Sequence, residues 1–187
     1  MTLNACQNLT QEPTPVASNL PYNGVNAAGQ ASPMDQAACV FDQQSGLLWE
    51  LKTQKNRLYT YSWFSDDPKN NGGFAGYRNR GLCPIQCDTN AYIVNINVQS
   101  LCGSSQWRLP TREELRSLVD YTQPAPGPAI NPIWFPNTAS QFYWSSTADA
   151  NDRDSAWGIG FTFGFDYSYF KSDQGHIRLV SPWPPKT

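Results

Sequence analysis

Nine consecutive residues, Trp107-Arg108-Leu109-Pro110-Thr111-Arg112-Glu113-Glu114-Leu115, restrict the fold more than any other stretch of this chain. They read as a strand end, a proline stop and a capped helix start. Thr111 is a good N-cap, and Glu114 three residues later completes a capping box. Leu115, Leu118 and Val119 follow on one face at helical spacing, so the pattern predicts a short amphipathic helix over 111–120.

Around this segment the chain changes texture several times. Residues 1–34 are rich in Asn, Gln, Pro, Ala and Ser without a sustained period, and read as an irregular lead ahead of a folded domain at 35–187. Val40-Phe41-Asp42 and Leu47 to Leu51 flank Gln43-Gln44-Ser45-Gly46, a turn by composition, and predict a hairpin. Tyr59 to Phe64 reads as a further strand or an aromatic turn. Residues 65–82 form a long polar loop, of the kind that carries function in compact domains. Thr89 to Leu101 favours helix over strand, and Gln123 to Pro132 is loop. Gln141–Thr147, Ala156–Phe163, Tyr167–Lys171 and Gly175–Val180 predict strands, the second with large residues alternating against small ones. Few helices and several antiparallel strands indicate an α+β domain.

Composition narrows the function classes. Charged residues are only 15% of the chain and aromatics 13%, so Asn, Gln, Ser and Thr must cover much of the surface, as in an exported protein. A net charge of −2 argues against a general nucleic-acid binder, which needs a strongly basic balance. No apolar run reaches the roughly 18 residues of a membrane span. The five cysteines are Cys6, Cys39, Cys83, Cys87 and Cys102. No C-x-x-C pair occurs and the single His176 is far away, so two disulfides among Cys39, Cys83, Cys87 and Cys102 are preferred to zinc, with connectivity open. Leu3-Asn4-Ala5-Cys6 has the look of a lipoprotein signal end with Cys6 as the lipidated residue. The alternative is a Cys6 paired with Cys39 or free.

Several ordered motifs, spread from Val40 to Val180, carry a family resemblance. They are Ser45-Gly46-Leu47-Leu48-Trp49-Glu50, Leu101-Cys102-Gly103, Trp107 to Thr111, Phe135-Pro136-Asn137-Thr138, Tyr143 to Thr147, Ala156-Trp157 and Ile177-Arg178-Leu179-Val180. With these the chain resembles the family that includes the C-terminal domain of the Legionella collagen-like adhesin. More distantly, Arg108 to Glu114 and Ile177-Arg178-Leu179 look like segments of formylglycine-generating, sulfatase-modifying enzymes. The resemblance implies a C-type-lectin-like fold: a twisted antiparallel sheet, two short helices and long loops. It also implies a bacterial cell-surface or secreted adhesin, assembled as a homotrimer and binding sulfated glycosaminoglycans.

Candidate site residues follow from ligand chemistry. A sulfated glycan needs cations and aromatic faces, and Arg meets sulfate by bidentate, charge-assisted bonds. Lys52, Lys55 and Arg57 form one basic cluster and Arg78 and Arg80 another, with Lys69, Arg153 and Lys171 in neighbouring loops. Trp63, Tyr77, Tyr167 and Tyr169 are the candidate exposed ring platforms. The competing reading is that these are ordinary solvated charges. Trp49, Trp107, Trp144 and Trp157 read as core, and Arg108 and Arg178 as buried partners of carboxylates such as Glu50 or Glu114. Asp66, Asp67, Asn70 and Asn71, and Asp149, Asn151, Asp152 and Asp154, offer oxygens for calcium, although turn chemistry explains both segments. No cofactor is otherwise expected. No cysteine follows Cys102 and His176 sits in a predicted strand, so no catalytic constellation is expected; the chain reads as a binder. An alternative is a protein-binding, receptor-recognition or surface-assembly module.

Overall fold

The computed structural model describes residues 21–184. The central strands of its first sheet come from largely apolar runs, because they are buried on both faces. In β2 (Cys39–Asp42) and β3 (Leu47–Glu50), Cys39 and Leu48 enter one core cluster while Val40 and Trp49 enter another. The same parity sorts β4 (Phe142–Ala148): Phe142 and Trp144 face the first cluster, Tyr143 the second.

The expected hairpin is β2–β3, pairing Cys39 with Glu50 and Asp42 with Leu47. Asp42 shapes its turn by accepting from the Gln44 N–H and the Ser45 hydroxyl. On one side lies β1 (Tyr22–Val25), drawn from the stretch expected to be irregular, with Val25 opposite Cys39. The first sheet therefore begins ahead of residue 35. On the other side lies β7 (Val180–Pro182), giving the order β1-β2-β3-β7. A second antiparallel sheet has the order β4-β5-β6, with β5 at Ser155–Gly160 and β6 at Phe165–Phe170. The extended run leading into β7 links the sheets, bridging β4 at Tyr143 through His176, and β7 itself bridges Arg108 through Val180.

Two helices complete the α+β fold. Helix α1 (Thr89–Val98) is capped by buried Asp88, which accepts from the Ala91 N–H at 2.9 Å. Helix α2 (Arg112–Arg116) begins with the predicted capping box: the Thr111 hydroxyl accepts from the Glu114 N–H and the Glu114 carboxylate from the Thr111 N–H. Such a cap contributes about 1 kcal/mol. Leu118 continues the buried face as turn rather than helix. Antiparallel sheets, two helices and long loops match the C-type-lectin-like arrangement that the motifs imply.

Two disulfides form, Cys39–Cys102 and Cys83–Cys87. The first ties β2 to the 3₁₀ turn Leu101–Gly103. Cys6 lies outside the described residues. Among the described residues no helix is long and apolar enough to cross a membrane.

Candidate functional site

The long loop is positioned from beneath by the extended stretch Tyr59–Phe64. Tyr61 bridges Gly175, Ser62 bridges Asp88 and Phe64 bridges Gly76. Gly76 must be glycine: a Cβ there would lie 2.2 Å from the Trp63 carbonyl oxygen. The loop is then held from behind by Lys171. This lysine is fully buried, and its Nζ donates to the carbonyls of Asn71 (2.8 Å), Phe74 (2.8 Å) and Arg153 (2.6 Å). The ammonium lies 4.6 Å from the centre of the Trp63 ring. One cation thus ties the 65–82 loop to the 149–154 loop.

On that base stand exposed arginines, each set over an aromatic ring. Arg78 lies 4.0 Å from the Phe64 ring centre, Arg80 4.0 Å from Tyr77, and Arg153 5.7 Å from Phe74. Phe74 and Tyr77 meet edge to face at 5.4 Å, so the Arg153 and Arg80 supports are continuous. Among the described residues none of these arginines has a carboxylate ion pair. A guanidinium resting on a ring keeps its edge N–H groups free for an anion. Lys69 is exposed on the same loop. Lys55 is exposed elsewhere, on a groove walled by Tyr59, Tyr92 and the Cys83–Cys87 loop, and half-buried Arg57 follows in the 3₁₀ turn Asn56–Leu58.

Three of the predicted ligand-binding residues do not reach the surface. Lys171 is the tie just described, and Trp63, 1% exposed, donates from its indole to the Ser145 carbonyl at 2.9 Å. Lys52 is 4% exposed and pairs with the buried Glu50 carboxylate at 2.8 Å. Burial draws the Lys52 pKa down, and Glu50 opposes that shift. Glu50 also accepts from the Tyr92 hydroxyl and the Leu179 N–H. The basic cluster at 52–57 is therefore Lys55 and Arg57 alone.

Of the motif arginines expected to be buried, one is internal and the other is not. Arg108 pairs with Glu114 through two bonds of 2.7 Å, but both side chains stay partly exposed. Burial alone would raise the Glu114 carboxyl; the Arg108 guanidinium and the Thr111 N–H outweigh it and hold the pKa low. Arg178 is fully buried and donates to the Glu50 carbonyl and the Thr138 hydroxyl rather than to a carboxylate. Trp49, Trp107 and Trp144 are core, whereas Trp157 is half-buried beneath Arg112.

In the loops considered for calcium, three of the carboxylates accept bonds from their own turns. Asp67 accepts from the Lys69 N–H and the Asn70 amide, Asp149 from the Asn151 N–H and the Ser168 hydroxyl, and Asp152 from the Asp154 N–H and the Ser155 hydroxyl. Asp66 accepts from the Asn90 amide at 3.4 Å. Among the described residues no three His, Cys, Asp or Glu side chains come together as a metal-binding group.

Tyr77 belongs to the arginine surface. Tyr167 and Tyr169 stand instead on β6, in a groove whose lining includes none of the loop cations. Phe64 and Phe74 carry no sequence signal as supports, because rings ten residues apart in irregular backbone leave no periodicity. Arg interleaved with aromatics was the cue available.

A family model described as the Lcl C-terminal domain matches residues 38–181. No curated protein and no solved structure matches the chain.

Proposed function

The chain belongs to the Lcl C-terminal domain family, and on that basis we propose that this adhesin-type domain binds sulfated glycans through the arginines of its long loop. The observation that supports this reading is the set of Arg78, Arg80 and Arg153, each propped on a ring and unpaired with any carboxylate among the described residues. Sulfate oxygens accept from a guanidinium edge as phosphate oxygens do. The binding needs neither cofactor nor turnover in this proposal, and its setting is the bacterial surface or secreted milieu. A chain of net charge −2 is a weak polyanion binder alone. Three copies around one axis gather their cations into a stronger field and add avidity, so the proposed active form is a homotrimer.

The test is binding to immobilised heparin across a salt titration, with wild type beside Arg78→Ala/Arg80→Ala. Each charge-assisted bond is worth about 1.5–3 kcal/mol, so the double variant should bind at least about tenfold more weakly and with a flatter salt dependence. Unchanged affinity and slope would remove the sulfated-glycan reading. A protein-partner reading draws on α1, where Val94 and Val98, four residues apart on one face, are 54% and 80% exposed. Capture of a protein ligand that Val94→Ser/Val98→Ser abolishes, without heparin binding, would favour it.

A further inference from the structure

We propose that the groove over the β4-β5-β6 sheet is a second ligand site, one that takes the ring of an uncharged sugar. The argument starts from register. Phe142, Gly160 and Phe165 are aligned across the three strands, as are Trp144, Gly158 and Tyr167, and Ala156 pairs with Tyr169. Directly paired residues share a face of an antiparallel sheet, so on this face β5 presents only Ala156, Gly158 and Gly160.

A strand without side chains beyond a methyl lets its neighbours' rings lie down across it. A Cβ at Gly158 would sit 2.4 Å from the Phe142 ring, and one at Gly160 2.8 Å from the Tyr167 ring. Tyr169 stacks on Phe142 at 4.2 Å with 12° between planes, and the Tyr167 and Tyr169 rings are 6.3 Å apart. Both tyrosines remain about 40% exposed. The result is a solvent-open groove of about 520 Å³ floored by rings, within the roughly 300–1,000 Å³ usual for small-ligand sites.

Its polar groups are uncharged. Gln141, Thr162, Gln174 and His176 stand around the rings, and no Lys, Arg, Asp or Glu lines the groove. Gln174 accepts from the Thr60 hydroxyl at 2.9 Å, whereas the Gln141 side-chain amide makes no hydrogen bond among the described residues. Burial, and then the nearby Lys52 charge, pull the His176 pKa down to about 4, so it is neutral near pH 7. A pyranose ring offers a face of C–H groups to stack on an aromatic floor and a rim of hydroxyls for neutral amides and hydroxyls. A sulfate finds no cation here. The chemistry therefore separates this groove from the arginine surface. It rests on the reading of the domain as a glycan receptor but uses none of the same residues.

Calorimetric titration of the wild-type chain with cellohexaose, maltohexaose and mannohexaose, at low and high salt, tests this. At least one should bind with an affinity that salt leaves unchanged. Tyr167→Ala and Gln141→Ala should each weaken it about tenfold or more, and Arg78→Ala/Arg80→Ala should leave it intact. Gln141 is an exposed rim residue, so its variant stays informative if Tyr167→Ala fails to fold. No binding of any of the three sugars, equal binding by both groove variants, or self-association in sedimentation that Tyr167→Ala abolishes would overturn the proposal. Failure of the wild type to bind heparin, with a neutral sugar still bound, would count against the arginine surface and leave the groove standing.

Discussion

Six cations of this chain fall into two groups of three with opposite fates. Around β3 and the 175–182 run, Lys52 and Arg178 are buried on the Glu50 side chain and backbone, and Lys171 is buried on three carbonyls. On the long loop and its neighbour, Arg78, Arg80 and Arg153 lie outside, over rings and away from carboxylates. The two sets share a charge and differ in what surrounds them. A buried ammonium removed from water must recover its hydration from fixed acceptors, and so it organises the backbone. An arginine on a ring keeps the water at its guanidinium edge. Counting charges along the chain merges these populations; only burial separates them.

The sharpest way to break the comparison is Glu50→Ala. Removing its carboxylate leaves the Lys52 ammonium buried without a charge partner, while Arg178 keeps the Glu50 carbonyl, and breaking a buried pair this way costs about 3–5 kcal/mol. Urea denaturation should show that loss; a change below about 1 kcal/mol would mean that the buried Lys52 does not depend on Glu50. Lys171→Met comes next. Three carbonyls lose their donor, at about 3 kcal/mol in all, and the amides of residues 70–76 should exchange faster with deuterium than in wild type. Unaltered exchange there would show that the loop is held by something else.

Acid gives a smaller effect with a definite sign. The folded pKa of His176 lies near 4 against 6.5 for a free imidazole, so between these values the unfolded chain binds more protons. Stability is present above about pH 6.5 and lost as the pH falls toward 4, by no more than about 2 kcal/mol once the partial exposure of the ring is allowed for. His176→Gln should flatten the thermal midpoint against pH across that window, and an equally steep profile in the variant would assign the loss to other groups. Smallest is the effect of Arg78→Ala/Arg80→Ala on folding, within about 0.5 kcal/mol. A larger drop in the denaturation midpoint would place these arginines with the internal set.

Local grammar made some of this legible. The capping box at Thr111 and Glu114 and the β2–β3 turn are decided within a few residues, and both are where the pattern puts them. β1 was missed because Tyr22-Asn23-Gly24-Val25 has no alternation and becomes a strand only by pairing with Cys39–Asp42. Lys52 misled because it opens a run of basic residues. The better cue was Glu50 two positions earlier, which in extended backbone lies on the same face. Lys171 carried no such cue, since its three acceptors come from two distant loops. The aromatic floor was half legible: Tyr167 and Tyr169 stand out as exposed rings, but Phe142 and Gly160 join them only through the sheet register.

The Lys171 tie has a consequence for where such a surface can work. A loop pair joined by a dissolved ion keeps its shape only while that ion is abundant. Here the joining charge is part of the polypeptide, and its effective concentration at the junction is set by the chain itself. The tie itself can be neither chelated nor diluted away, so the arrangement of the arginines above it is set by the fold of the chain.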